Sequence, residues 1–141
     1  MNKEASRKPG AVHYRATDYI VHATSHFTLR IDDPSAACDA LLAAYGADGA
    51  AFLTAWNPFS QSLPDAVNHA AQARLAADLT PVSTAILTGE GKGRIGNWPP
   101  EPSLFAIGIT EADATRLAQA CRQNAYVWIA RGQPARLVIC V

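Results

Sequence analysis

The ten residues Gly49–Pro58, GAAFLTAWNP, constrain the fold more than any other stretch of the chain. From Ala50 to Trp56 the run is short and nearly all apolar, the composition expected of a buried central strand. Pro58 has no N–H to add to a ladder, so it stops the strand, and it biases Asn57 toward an extended backbone. A rigid corner should result, with an indole and an amide on display.

Helical patterns flank this run. Asp33-Pro34 reads as an N-cap with proline in the first turn, Ala37, Leu41, Ala44 and Tyr45 as the apolar stripe, and Gly46 as a left-handed stop. Ser62-Leu-Pro-Asp65 has the form of a capping box. It opens a second helix to about Leu79, with Val67, Ala71, Leu75 and Leu79 buried and Asp65, Asn68 and Gln72 on a polar face. Thr110 caps a third helix whose inner face is Ala114, Leu117, Ala118 and Cys121. The alternating residues from Asp18 to Ile31 read as strand, with a possible break near Thr24-Ser25. Val82–Thr88, Ser103–Ile109, Ala125–Ala130 and Ala135–Val141 complete the set. Arg131-Gly132-Gln133-Pro134 is the turn of a hairpin.

This order implies an α+β (or α/β) fold: a single domain with a mixed β-sheet of about five to six strands covered by about three helices. At 141 residues there is room for one domain. Residues 1–12 read as a disordered tail and residues 13–141 as the globular domain. The 12 basic and 12 acidic residues cancel, which argues against a dedicated nucleic-acid binder. The middle of the chain is acidic and its ends mildly basic, a pattern that orients an anionic ligand or simply marks solvated faces. No run approaches the 18 or so apolar residues of a membrane helix, and the first residues have no apolar signal core. Cys38, Cys121 and Cys140 are odd in number and match no zinc spacing, the usage of reduced thiols in a cytoplasmic protein. His22 and His26 on one strand would stand about 13 Å apart, too far for a shared metal unless the chain turns between them. No metal or cofactor is expected.

Polar and aromatic residues gather at the ends of the expected elements. Trp56 is a stacking face or a core residue, and Asn57 a ligand amide or a turn cap. The glycine-rich stretch from Gly89 to Gly96 is an anion cradle built on Gly91, Lys92 and Arg94, or a mobile loop. It matches neither the phosphate-loop nor the dinucleotide fingerprint. Trp98-Pro-Pro-Glu-Pro-Ser103 is stiffened by prolines, a frame that holds Glu101 as a base, a ligand contact or an acceptor of backbone N–H groups. Gln123-Asn124 closes the third helix. No nucleophile elbow, HExxH or CxxC motif is present.

Taken together, Tyr14-x-x-Thr17-x-Tyr19, Thr54–Pro58, Asn68, Trp98-Pro-x-Glu-Pro-Ser103 and Gln123-Asn124-Ala125 resemble the motifs of an uncharacterised bacterial family of small domains of unknown function. The likeness runs from about Tyr14 to Val138. It implies a single-domain, bacterial, cytoplasmic protein and brings no assigned activity. It also implies that the element ends form one site rather than three unrelated turns. In that site Trp56 and Trp98 would stack on a small-molecule or nucleotide-like ligand and Asn57, Asn68, Gln123 and Asn124 would hydrogen-bond it. Glu101 would be the charged and, in an enzyme, catalytic group. The alternative is a protein-interaction module, or a homo-oligomer contact, that uses the same aromatic and proline-rich surface.

Overall fold

In the computed structural model, which describes residues 11–141, the apolar run becomes β3 (Gly49–Leu53), buried at all five positions. The remaining strands are β1 (Thr17–Val21), β2 (Phe27–Leu29), β4 (Ala85–Gly93), β5 (Glu101–Ile107), β6 (Ala125–Ala130) and β7 (Arg136–Ile139). The α-helices are α1 (Ala11–Arg15), α2 (Ala36–Ala44), α3 (Asp65–Leu79) and α4 (Glu111–Ala120). Of the expected tail, residues 1–10 lie outside the described residues, while Ala11 and Val12 belong to α1.

The seven strands form one sheet in the order β2-β1-β4-β5-β3-β6-β7, and every neighbouring pair is antiparallel. The expected mixed sheet is therefore corrected, and the reason is topological. β3 and β4 run parallel across α3 but leave one slot between them, which β5 fills in the opposite sense. β5 and β6 likewise run parallel across α4, with β3 in between. Each crossover is thus split by a strand returning the other way. The strand count rises to seven because the chain does break between Thr17–Val21 and Phe27–Leu29. The turn there brings the His22 and His26 rings to 5.0 Å.

The all-apolar pattern of β3 follows from its position between two cores. Ala50 and Phe52 face Cys38 and Leu42 of α2 with Tyr19, Val21 and Leu29. Ala51 and Leu53 face Leu75 and Leu79 of α3 with Ala114, Leu117 and Ala118 of α4. Burying each large side chain contributes about 1.5–3 kcal/mol, and both faces contribute here.

Four helix readings shift. Ser35, not Asp33, caps α2, its Oγ accepting from Cys38 N at 3.1 Å. The Asp33 carbonyl instead accepts from Ala135 N, which holds Asp33 outside the helix. The buried stripe accordingly runs through Cys38 and Leu42, and Ala37, Ala44 and Tyr45 are exposed. At α3 the capping box does not form, because Pro64 occupies the cap position. Val67 is 50% exposed and Asn68 1% exposed, so the inner face is Asn68, Gln72, Leu75 and Leu79. α4 follows expectation, with Thr110 Oγ1 accepting from Asp113 N.

The glycine-rich loop is also corrected. Gly89, Gly91 and Gly93 lie within β4, paired to β1 on one side, and the first two also pair to β5 on the other. Gly89 permits this pairing, because a Cβ there would stand 2.5 Å from the Ile20 carbonyl oxygen. Gly89→Ala should therefore cost about 1–3 kcal/mol through overpacking against backbone. Urea unfolding measures it, and a loss under about 0.5 kcal/mol would contradict so close a strand approach.

Candidate functional site

Beyond Leu53 the backbone of β3 loses its strand partners, and side chains take their place. Ala55 N donates to Gln72 Oε1 at 2.8 Å, and Thr54 Oγ1 donates to the Pro102 carbonyl at 2.8 Å. Trp56 N donates to Thr54 Oγ1 at 3.0 Å, and Asn57 N to Asn68 Oδ1 at 2.9 Å. This is why the expected strand to Trp56 stops three residues early.

Asn57 is not extended but left-handed, with φ 47° and ψ 68°. Asparagine tolerates this conformation better than most residues, and here its side chain is gripped. Asn57 Oδ1 accepts from Asn68 Nδ2 at 2.7 Å and from Leu63 N at 3.0 Å. Phe59 and Ser60 also have positive φ, at 52° and 61°, as does Arg122 at 55°. Phe59 N donates to the Arg122 carbonyl at 2.8 Å, so the two strained turns brace one another. Such residues cost about 1–3 kcal/mol each and persist where the surroundings enforce them.

These bonds draw the expected residues together at one end of the sheet. Asn57 Nδ2 donates to Glu101 Oε2 in a long bond of 3.5 Å. Gln123 Nε2 donates to the Trp56 carbonyl at 3.2 Å, and Asn124 Nδ2 to Ser60 Oγ at 3.2 Å. Asn124 is 3% exposed, and its Oδ1 is buried with no partner among the described residues. Trp56 is half-buried and meets His69 edge-on at 4.9 Å. Thus Asn57, Asn68, Gln123, Asn124, Trp56 and Glu101 meet.

The other expected residues do not join them. Trp98 is 76% exposed, and no hydrogen bond or ring contact ties it to the cluster among the described residues. Lys92 alternates with Gly91 along β4, so it projects from the opposite face, paired in register with Asp18. Arg94 is held by Asp18 and by the Arg15 carbonyl. Gly91, Lys92 and Arg94 therefore do not form an anion cradle. Gly91 alone belongs near the cluster, directly opposite Glu101 in the β4–β5 register.

Tyr14 is the residue that reading the elements passed over, since it stands beside the expected tail and appears only in the family-like motif. Its carbonyl accepts from Tyr19 Oη at 2.9 Å. Burial and the nearby Glu101 carboxylate push its hydroxyl up to about 12, against the opposing effect of the Asn124 side chain. Gln72 was also missed, although its spacing of four from Asn68 places both on one helix face.

Burial raises the pKa of Glu101 above its usual 4.5, with the Asn57 amide working in the other direction. None of the ion pairs among the described residues involves Glu101. On the opposite face of β4, His22 contacts Thr88 at 3.0 Å and Glu90 at 3.4 Å. They line a groove of about 380 Å³ walled by Pro100 and Pro102. Among the described residues no group of three or more His, Cys, Asp or Glu side chains fits a metal ion. No helix among them is long and apolar enough to cross a membrane.

Two tests follow from this geometry. Asn68→Ala removes both hydrogen bonds to Asn57 and should cost about 1–3 kcal/mol in urea unfolding, through the buried groups it strands. Val67→Ala should stay within about 0.5 kcal/mol, and the reverse order would place the wrong face of α3 inward. For Glu101, the folded-state pKa lies above the unfolded one. Its contribution is therefore fully present below the unfolded value and lost as pH rises through the folded value. Glu101→Gln should raise the melting temperature relative to wild type at pH 8, with the gap shrinking toward pH 4. A gap independent of pH would contradict a destabilised carboxylate.

The chain belongs to the DUF3293 family, described as a protein of unknown function, whose model matches residues 53–126. No curated protein and no solved structure matches the chain. The matched segment runs from the last residue of β3 into β6. It spans Trp56, Asn57, Asn68, Glu101, Gln123 and Asn124, and begins after Tyr14.

Proposed function

We propose that this DUF3293 domain binds a small polar molecule at the end of its sheet, where Glu101, Asn57 and Asn124 contact it and Trp56 flanks it. One observation carries the reading. Four separated segments, around Asn57, Asn68, Glu101 and Asn124, converge on a half-buried carboxylate and an amide oxygen with no hydrogen-bond partner among the described residues. Buried polar groups are normally satisfied, and backbone strain collects where a ligand is met. Both features coincide here. Asn68 and Gln123 hold the backbone of the site rather than face its contents. In an enzyme, Glu101 is the acid–base group. With the family likeness noted from the sequence, the protein is proposed to be bacterial and cytoplasmic.

A second reading has its own observation. Trp98 and Ile95 are exposed together on the proline-stiffened connector between β4 and β5, an anchor suited to a protein partner. That surface is separate from the Glu101 cluster, so the two readings can be tested apart.

The experiment is the melting temperature of the purified protein against a library of nucleotides, sugars, amino acids and amines. A ligand at about 100 times its dissociation constant adds roughly 2.7 kcal/mol, a shift of at least a few degrees for a domain of this size. The expected result is a hit that disappears in Glu101→Gln. No shift across the library would overturn the ligand reading, and a Trp98-dependent change in oligomeric size would support the second.

A further inference from the structure

Resting on that reading of the cluster, we infer that the ligand is a cation, an aliphatic amine or guanidinium head group seated over Gly91 beside Glu101, Tyr14 and Tyr19. Three observations lead there.

The first is the sense of the open valences. Among the described residues Glu101 has no cationic partner, and its one hydrogen bond is the long one from Asn57 Nδ2. An ionised carboxylate only accepts, so the missing group is a donor. A phosphate or carboxylate would place a second negative charge against a half-dry carboxylate, which is unfavourable.

The second is space. Tyr19, Gly91 and Glu101 form one cross-strand row on a single face of the sheet. A Cβ at Gly91 would meet only Thr17 Cγ2, at 3.8 Å. Its backbone has no positive φ, so neither conformation nor crowding demands glycine there. What glycine leaves is open space beside the Glu101 carboxylate, with the buried Tyr19 as its other cross-strand neighbour.

The third is that, among the described residues, no cation forms an ion pair with Glu101. Arg94 bonds to Asp18 and the Arg15 carbonyl, and Lys92 lies on the other face. Among the described residues, the groups that act on this corner are Tyr14, raised to about 12, Tyr19, raised further by burial against the opposing charge of Arg94, and Cys140, raised to about 11. His69 contacts the Trp56 ring. A cation binds the ionised carboxylate, while burial favours the protonated one. Binding therefore expels a proton from Glu101 and strengthens as pH rises.

The probe is agmatine, titrated calorimetrically into the full chain between pH 5 and 8, with adenosine monophosphate as the anionic comparison. The expected result is agmatine binding that tightens with pH and weakens roughly tenfold or more in Glu101→Gln. Gly91→Val, which leaves Glu101 in place and fills the opening, should weaken it similarly. Agmatine binding indifferent to both variants would overturn the inference, as would the absence of any agmatine binding. Binding of adenosine monophosphate that Gly91→Val abolishes would overturn the cation while leaving the ligand site standing. If no member of the wider library binds either, the ligand site itself falls.

Discussion

The reciprocal amide pair between Asn57 and Asn68 lets a doubly buried strand leave the sheet. β3 packs against both cores, so its continuation is half-buried and its N–H groups cannot simply turn to water. An unpaired buried donor costs about 1–3 kcal/mol. Gln72, Thr54 and Asn68 each accept one of these donors. Asn68 also locks the Asn57 side chain, which in turn accepts from Leu63 N. Several hydrogen bonds thus converge on one left-handed residue, enough to offset its conformational cost. The Asn57 amide is left aimed at Glu101.

Topology brings the rest to the same place. Because each crossover is split by an antiparallel strand, the end of β3 lies beside the starts of β5 and β6. Glu101, Gln123 and Asn124 occupy those starts, although they are far from Asn57 in the chain. α1 precedes β1 and adds Tyr14 at the same end. The β4 glycines admit the neighbouring backbone at Gly89 and leave an opening at Gly91.

Electrostatics then set the character of the site. Much of the charge on the neighbouring strands is paired within them, as Asp18 with Arg30 and Arg94 illustrates. Glu101 remains apart from these pairs, half-buried and raised in pKa. A neutral chain with 12 charges of each sign hides this local imbalance completely.

Much was legible in the sequence because it depends on local chemistry. The apolar run announced a central strand, Thr110 announced a cap, Gly46 announced a left-handed stop and Arg131-Gly132-Gln133-Pro134 a hairpin turn, and each element is there. The residues of the cluster were also legible, since prolines and amides at element ends advertise rigid corners. The errors about which side chains face the site share one cause. Asn68 was read as outward because it is polar and Val67 as inward because it is apolar, but the stranded N–H of Asn57 reversed them. Lys92 and Arg94 were read with Gly91 because they adjoin it, but strand pairing put Lys92 on the far face and bound Arg94 to Asp18. By itself the sequence determined most of the strands, helices and corners, through hydrophobic period and backbone stereochemistry, but not helix α1 or the glycine half of β4. Tertiary structure alone decided which polar groups face inward and which stay unpaired, because that depends on backbone donors and charges supplied by distant segments.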